Sequence, residues 1–175
     1  MKSFYTVGII TIFAVGVLSA QNSVIDKWNS IEAPAAPTLE SVEVDPSVTA
    51  LLILDIEQRT VPARPRAVAI VPGVKKLLSW ARKNDILVVY STTPGVSPNT
   101  ILSEVKPAPN EVVVAASVDK YFNTKLEETL RAKGITNVII TGVAAEGAVH
   151  VLNAPGTRGN VTITKLDMIK TNHMK

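Results

Sequence analysis

The chain of 175 residues contains no cysteine. That excludes disulfides, thiolate metal sites and covalent catalysis through sulfur. Aromatic residues are sparse, with three Phe, three Tyr and two Trp. No stacking platform for single-stranded nucleic acid is therefore expected. No block of like charge stands out: 18 basic against 15 acidic residues leave a formal charge of +3. Neither nucleic acid nor a membrane surface is an expected partner. There are only two histidines, His150 and His173. Neither has acids or cysteines at ligand spacing, so no metal site and no cofactor are expected. What the chain does have is 46% hydrophobic residues, a composition that can build a core.

The amino terminus carries its own pattern. Lys2 precedes an apolar run from Phe4 to Leu18, and Ser19-Ala20 offers small residues before Gln21. This layout predicts a signal peptide over 1–20, cleaved after Ala20, and hence a secreted chain free of the membrane. A retained signal anchor is the alternative, but the run is short for a span. The sequon Asn160-Val161-Thr162 matters only in a eukaryotic host. Residues 21–47 hold Pro34, Pro37 and Pro46 and read as an extended lead-in, with one short helix around Val24 to Ser30. The domain is expected to occupy 48–175.

Four short continuous apolar runs follow, at Thr49–Ile56, Ile86–Thr92, Val112–Val114 and Asn137–Val143. Such runs suit strands buried on both faces of a parallel sheet. Pro72 is placed as a first helical residue, with Val74, Leu77, Leu78 and Ala81 on one face. Thr124-Lys125-Leu126-Glu127 reads as a capping box, with Gly134 ending that helix. The alternation predicts a doubly wound, mainly parallel α/β sheet, a Rossmann-like three-layer architecture.

Open α/β sheets bind ligands beyond the carboxyl ends of their strands. Two sites should converge there. Asp55 is a lone acid ending an apolar strand, either catalytic or a structural cap. The turn Gly142, Val143, Ala144, Glu146, Gly147, Ala148 opens a helix whose free N–H groups favour an oxyanion. Within it Glu146 reads as a helix N-terminal acid rather than a base. Thr93-Pro94-Gly95 marks a loop that either overhangs the crevice or is a plain turn.

Leu51-Leu-Ile-Leu-Asp-Ile56, Phe122-Asn-Thr-Lys-Leu126 and Gly134 to Val143, in that order, resemble the isochorismatase-like family, also called cysteine hydrolases. The resemblance covers roughly Val48 to Val149 and implies hydrolysis of small amides or related metabolites by an Asp, Lys and Cys triad. Asp55 matches the Asp. The Cys position holds Ala148. The Lys is expected near Ala115 or Ala116, and the nearest candidate is Lys120, which on its own also reads as a solvated surface lysine. After Val149 the chain is short of the family pattern by about one βαβ unit, with Val161 to Asp167 resembling the terminal segment; a deletion, a skipped exon or a faulty gene model accounts for that. Three readings stand: a hydrolase acting without a cysteine, a silent member that binds a small ligand or a partner chain (a second copy included), and a non-functional truncated product.

Overall fold

The fold is described from a computed structural model, in which residues 24–33, 35–144, 147 and 162–171 are described. The expected signal peptide, the sequon at Asn160, and Glu146, Ala148, His150 and His173 lie outside these residues. Among the described residues no helix is long and apolar enough to cross a membrane. The chain divides into two compact units, Met1–Ala36 and Pro37–Lys175. In the first, α1 (Val24–Lys27) runs into a 3-10 turn at Trp28–Ser30, as the lead-in pattern suggested.

The second unit starts upstream of the expected boundary at 48. It opens with β1 (Val42–Val44), then β2 (Thr49–Leu54), α2 (Pro65–Lys83), β3 (Leu87–Thr92) and β4 (Val112–Ala115). It continues with α3 (Leu126–Ala132), β5 (Asn137–Gly142) and β6 (Ile169–Thr171). The main sheet has the order β4-β3-β2-β5 and is parallel throughout. Strand β6 pairs with β1 in a separate two-stranded parallel ladder. It lies just beyond the stretch that resembled a terminal segment.

Every residue of β2 is buried, because both faces of the sheet are covered. The side chains alternate. Leu51 and Ile53 join Val88, Tyr90 and the α2 residues Val71, Val74, Leu78 and Ala81 in one cluster. Ala50, Leu52 and Leu54 join Val89, Leu126 and Leu130 of α3 in the other. A helix on each face gives the expected doubly wound, three-layer α/β fold.

Two local expectations are corrected. Pro72 lies inside α2, and Pro65 takes the first-turn position. The apolar stripe runs upstream through Val71 to Ala67, both buried, so burial carries the helix past a residue that disfavours it. The capping box does not form. Lys125 is the N-cap residue, the Thr124 hydroxyl accepts from the Leu126 N–H at 3.2 Å, and Glu127 pairs with Arg131 at 2.8 Å. An i,i+4 ion pair one turn along takes the carboxylate that the box required. Gly134 does stand in the left-handed region after α3, at φ +68.

Candidate functional site

The register of β2 with β5 sets Leu54 opposite Gly142, so Asp55 and the following turn emerge at the same carboxyl edge. Asp55 has a positive φ of 56, a left-handed conformation that Asp tolerates better than most residues. This bend ends the strand. The backbone is held on both sides: the Asp55 N–H donates to the Ser91 carbonyl at 3.1 Å, and the Thr60 hydroxyl donates to the Asp55 carbonyl.

Lys120 is not a solvated surface residue. It is 1% exposed, and its ammonium contacts Asp55 Oδ2 at 2.7 Å and Oδ1 at 3.0 Å. It also donates to the Ser117 carbonyl at 2.8 Å, with the Ala116 carbonyl at 3.4 Å. The loop from Ala116 to Lys120 folds back, so a lysine late in the loop reaches the crevice. Asp119 fixes that fold by accepting from the N–H groups of Tyr121 at 2.9 Å and Phe122 at 3.2 Å. Linear spacing concealed this return of the chain.

The Ser91 hydroxyl donates to Asp55 Oδ1 at 2.7 Å. Oδ1 therefore accepts from both Ser91 and Lys120, while Oδ2 accepts from Lys120. The Asp55 side chain keeps 16% of its surface, against 1% for Lys120. The pair is thus buried on the lysine side and partly open on the carboxylate side.

Asp55 lies on a cavity of about 400 Å³ whose lining includes Leu54, Arg59, Thr60, Arg64 and Thr93. Pro94, Ala116, Ser117, Val118, Lys120, Val143, Ala144 and Gly147 line the rest. A cavity of this size suits a small molecule. Val143, Ala144 and Gly147 are thereby brought to Asp55, as the sequence suggested, and Gly142 ends β5 beside them. The Gly147 N–H is engaged, donating to the Ala144 carbonyl at 3.2 Å, so it is not a spare oxyanion donor. Pro94 lines the cavity; Gly95, at φ 75, only turns the chain behind it.

Several cavity residues went unread in the sequence. Arg59, Thr60 and Arg64 follow Asp55 directly, and the ligand-binding edge of a parallel strand was the signal for them. Glu57 is fully buried and accepts from the Thr93 hydroxyl at 2.6 Å, holding one wall of the cavity. Among the described residues no group of three His, Cys, Asp or Glu side chains could hold a metal ion. A second cavity, of about 460 Å³, lies at the opposite end of the sheet, with Arg82, Glu111 and Lys133 on its walls. Arg82 and Glu111 are paired there at 2.7 Å, and that end is not where open sheets bind ligands.

Comparison with known proteins identifies the frame around this cavity. The Isochorismatase domain model matches residues 49–153. Ureidoacrylate amidohydrolase RutB of Variovorax paradoxus is 38% identical over 51 residues, covering 29% of this chain and 20% of that protein. The match thus spans only a fifth of that relative's length. N-carbamoylsarcosine amidase from Thermoplasma acidophilum superposes with a TM-score of 0.60 at 19% identity, covering 68% of this chain and 96% of that one. An isochorismatase from Pseudomonas putida KT2440 superposes with a TM-score of 0.56 at 21% identity, covering 66% and 70%. The four-stranded parallel order, the helix on each face and the matched span agree: the chain belongs to the isochorismatase family.

Proposed function

We propose that the cavity hydrolyses small amide-type substrates without a covalent enzyme intermediate. The observation that carries this reading is the Asp55–Lys120 pair on the cavity lining, its lysine buried and its carboxylate partly exposed. Position 148 is alanine and the chain has no thiol, so water is the attacking group. Asp55 Oδ2 accepts the proton as water adds to the carbonyl carbon. Backbone N–H groups of the turn after β5 receive the oxygen's charge. The C–N bond then breaks, and Asp55 returns the proton to the leaving nitrogen. Lys120 forms no bond to the substrate in this scheme; it fixes the carboxylate. The names of the amidohydrolase and amidase relatives support an amide as the substrate class.

Ammonia release from a panel of primary amides and carbamoyl compounds tests the proposal. Asp55→Asn, which keeps the shape but loses the proton acceptor, should lower kcat by about a hundredfold or more. Thiol-alkylating reagents should have no effect. Full turnover by Asp55→Asn would remove Asp55 from the mechanism. The missing thiol favours a second reading, a silent member that binds its ligand unchanged. It predicts saturable binding with no ammonia release, and no gain from Ala148→Cys.

A further inference from the structure

Four charged side chains line the cavity among the described residues: Asp55, Lys120, Arg59 and Arg64. The first two neutralise each other at 2.7 Å. Arg59 and Arg64 are left over. The ion pairs among the described residues involve Arg82, Lys120 and Arg131, and neither of the cavity arginines. Arg64 is nonetheless held in place, since its guanidinium donates to the Thr60 carbonyl, and the Thr60 hydroxyl is anchored on the Asp55 carbonyl. Among the described residues that carbonyl is the one hydrogen-bond acceptor of the Arg64 fork. Two cations lining one concave site concentrate positive potential, and a guanidinium fork matches a carboxylate in geometry and charge.

We propose that the cavity selects an anionic substrate, a small carboxylate whose charge is read by Arg59 and Arg64. The inference rests on the cavity being the substrate site. It adds which amides enter: those with a carboxylate at one end and the hydrolysable group at the Asp55 end. Leu54, Val118 and Val143 also line the cavity and offer apolar contact to the body of such a molecule. The hydroxyl-bearing Thr93 and Ser117 add polar contacts on the walls. Both arginines are exposed, so replacing them removes no core contact.

Succinamate and succinamide make a matched pair of probes, both primary amides, one with a carboxylate and one neutral. Calorimetric titration of the full chain should show succinamate bound at least about tenfold more tightly, since charge-assisted pairs exceed neutral ones. The preference should shrink in Arg59→Gln and in Arg64→Gln and vanish in the double variant, with unfolding midpoints unmoved. Arg64→Lys should keep part of it. Equal affinities, or a preference that survives the double variant, would overturn the proposal. So would succinamate binding that appears only in Glu146→Gln, because the arginines would then serve Glu146. Ammonia release measured in parallel separates the two readings. A preference without ammonia sinks hydrolysis and leaves this inference. Equal ammonia from both probes, unmoved by the double variant, does the reverse.

Discussion

Asp55 and Lys120 carry one charge each but stand in different surroundings, and their loss should differ accordingly. Lys120 is buried at 1% exposure, so without Asp55 its ammonium keeps only backbone carbonyls as partners. Asp55 without Lys120 keeps the Ser91 hydroxyl and an open side. Stranding a buried charge costs about 3–5 kcal/mol. Asp55→Ala should therefore approach that range in urea unfolding, while Lys120→Met should cost clearly less; the reverse order would mean that the lysine relaxes to solvent. A second prediction concerns Glu111 at the other end of the sheet. Burial pushes its carboxyl up, but hydrogen bonds from Arg82 and the Ala108 N–H outweigh this and hold it below its ordinary value of 4.5. A depressed carboxyl stabilises the fold above its unfolded value and loses that contribution as pH falls through the folded one. Wild type should lose stability on acidification below about pH 4.5, and Glu111→Gln should lose less over the same window. Parallel acid-unfolding curves for the two would remove Glu111 from the linkage.

Helix α2 carries Pro72 and Gly73 in its interior, both exposed. Proline removes the N–H that would meet the Val68 carbonyl, and glycine raises the entropy of the unfolded chain. A Cβ at Gly73 would meet nothing within 4 Å. Gly73→Ala should stabilise by up to about 1 kcal/mol and Pro72→Ala by about 1–3 kcal/mol, read from thermal melts. Unchanged or lower melting points would show that the Pro-Gly pair is needed for the helix to follow the sheet. The same pair explains what was legible in the sequence and what was not. Strands β2 and β3 were readable because parallel strands buried on both faces are continuous apolar runs; β4 and β5, at the sheet edges, keep the apolar run though they are only partly buried. The start of α2 was not, because local signals at Pro72 pointed to a start while tertiary burial of Ala67 and Val71 extended the helix. Lys120 was hidden for a related reason. Its position depends on a loop that doubles back through Asp119, and loop return leaves no periodic trace.

For the whole molecule, pairing count sets the order of rigidity. Strands β2 and β3 each pair on both sides, whereas β5, among the described residues, pairs only with β2. Val138 of β5 is 38% exposed. Amide hydrogen exchange should be slowest over Leu51–Leu54 and Val88–Ser91 and faster over Asn137–Gly142. Protection of β5 equal to that of β2 would show that the second edge of β5 is covered. The β1–β6 ladder bears on timing rather than rigidity. Val44 is buried in the core, and Val42 and Ile169 pack against the same cluster. Yet β1 finds its hydrogen-bonding partner only in Ile169–Thr171, the last described element to be synthesised. A nascent chain must therefore carry β1 unpaired until Ile169–Thr171 are added, and the four-stranded sheet can fold before the clasp closes. A protease that nibbles back from the carboxyl terminus would release the opposite end of the domain, near Val42, before it touched the cavity.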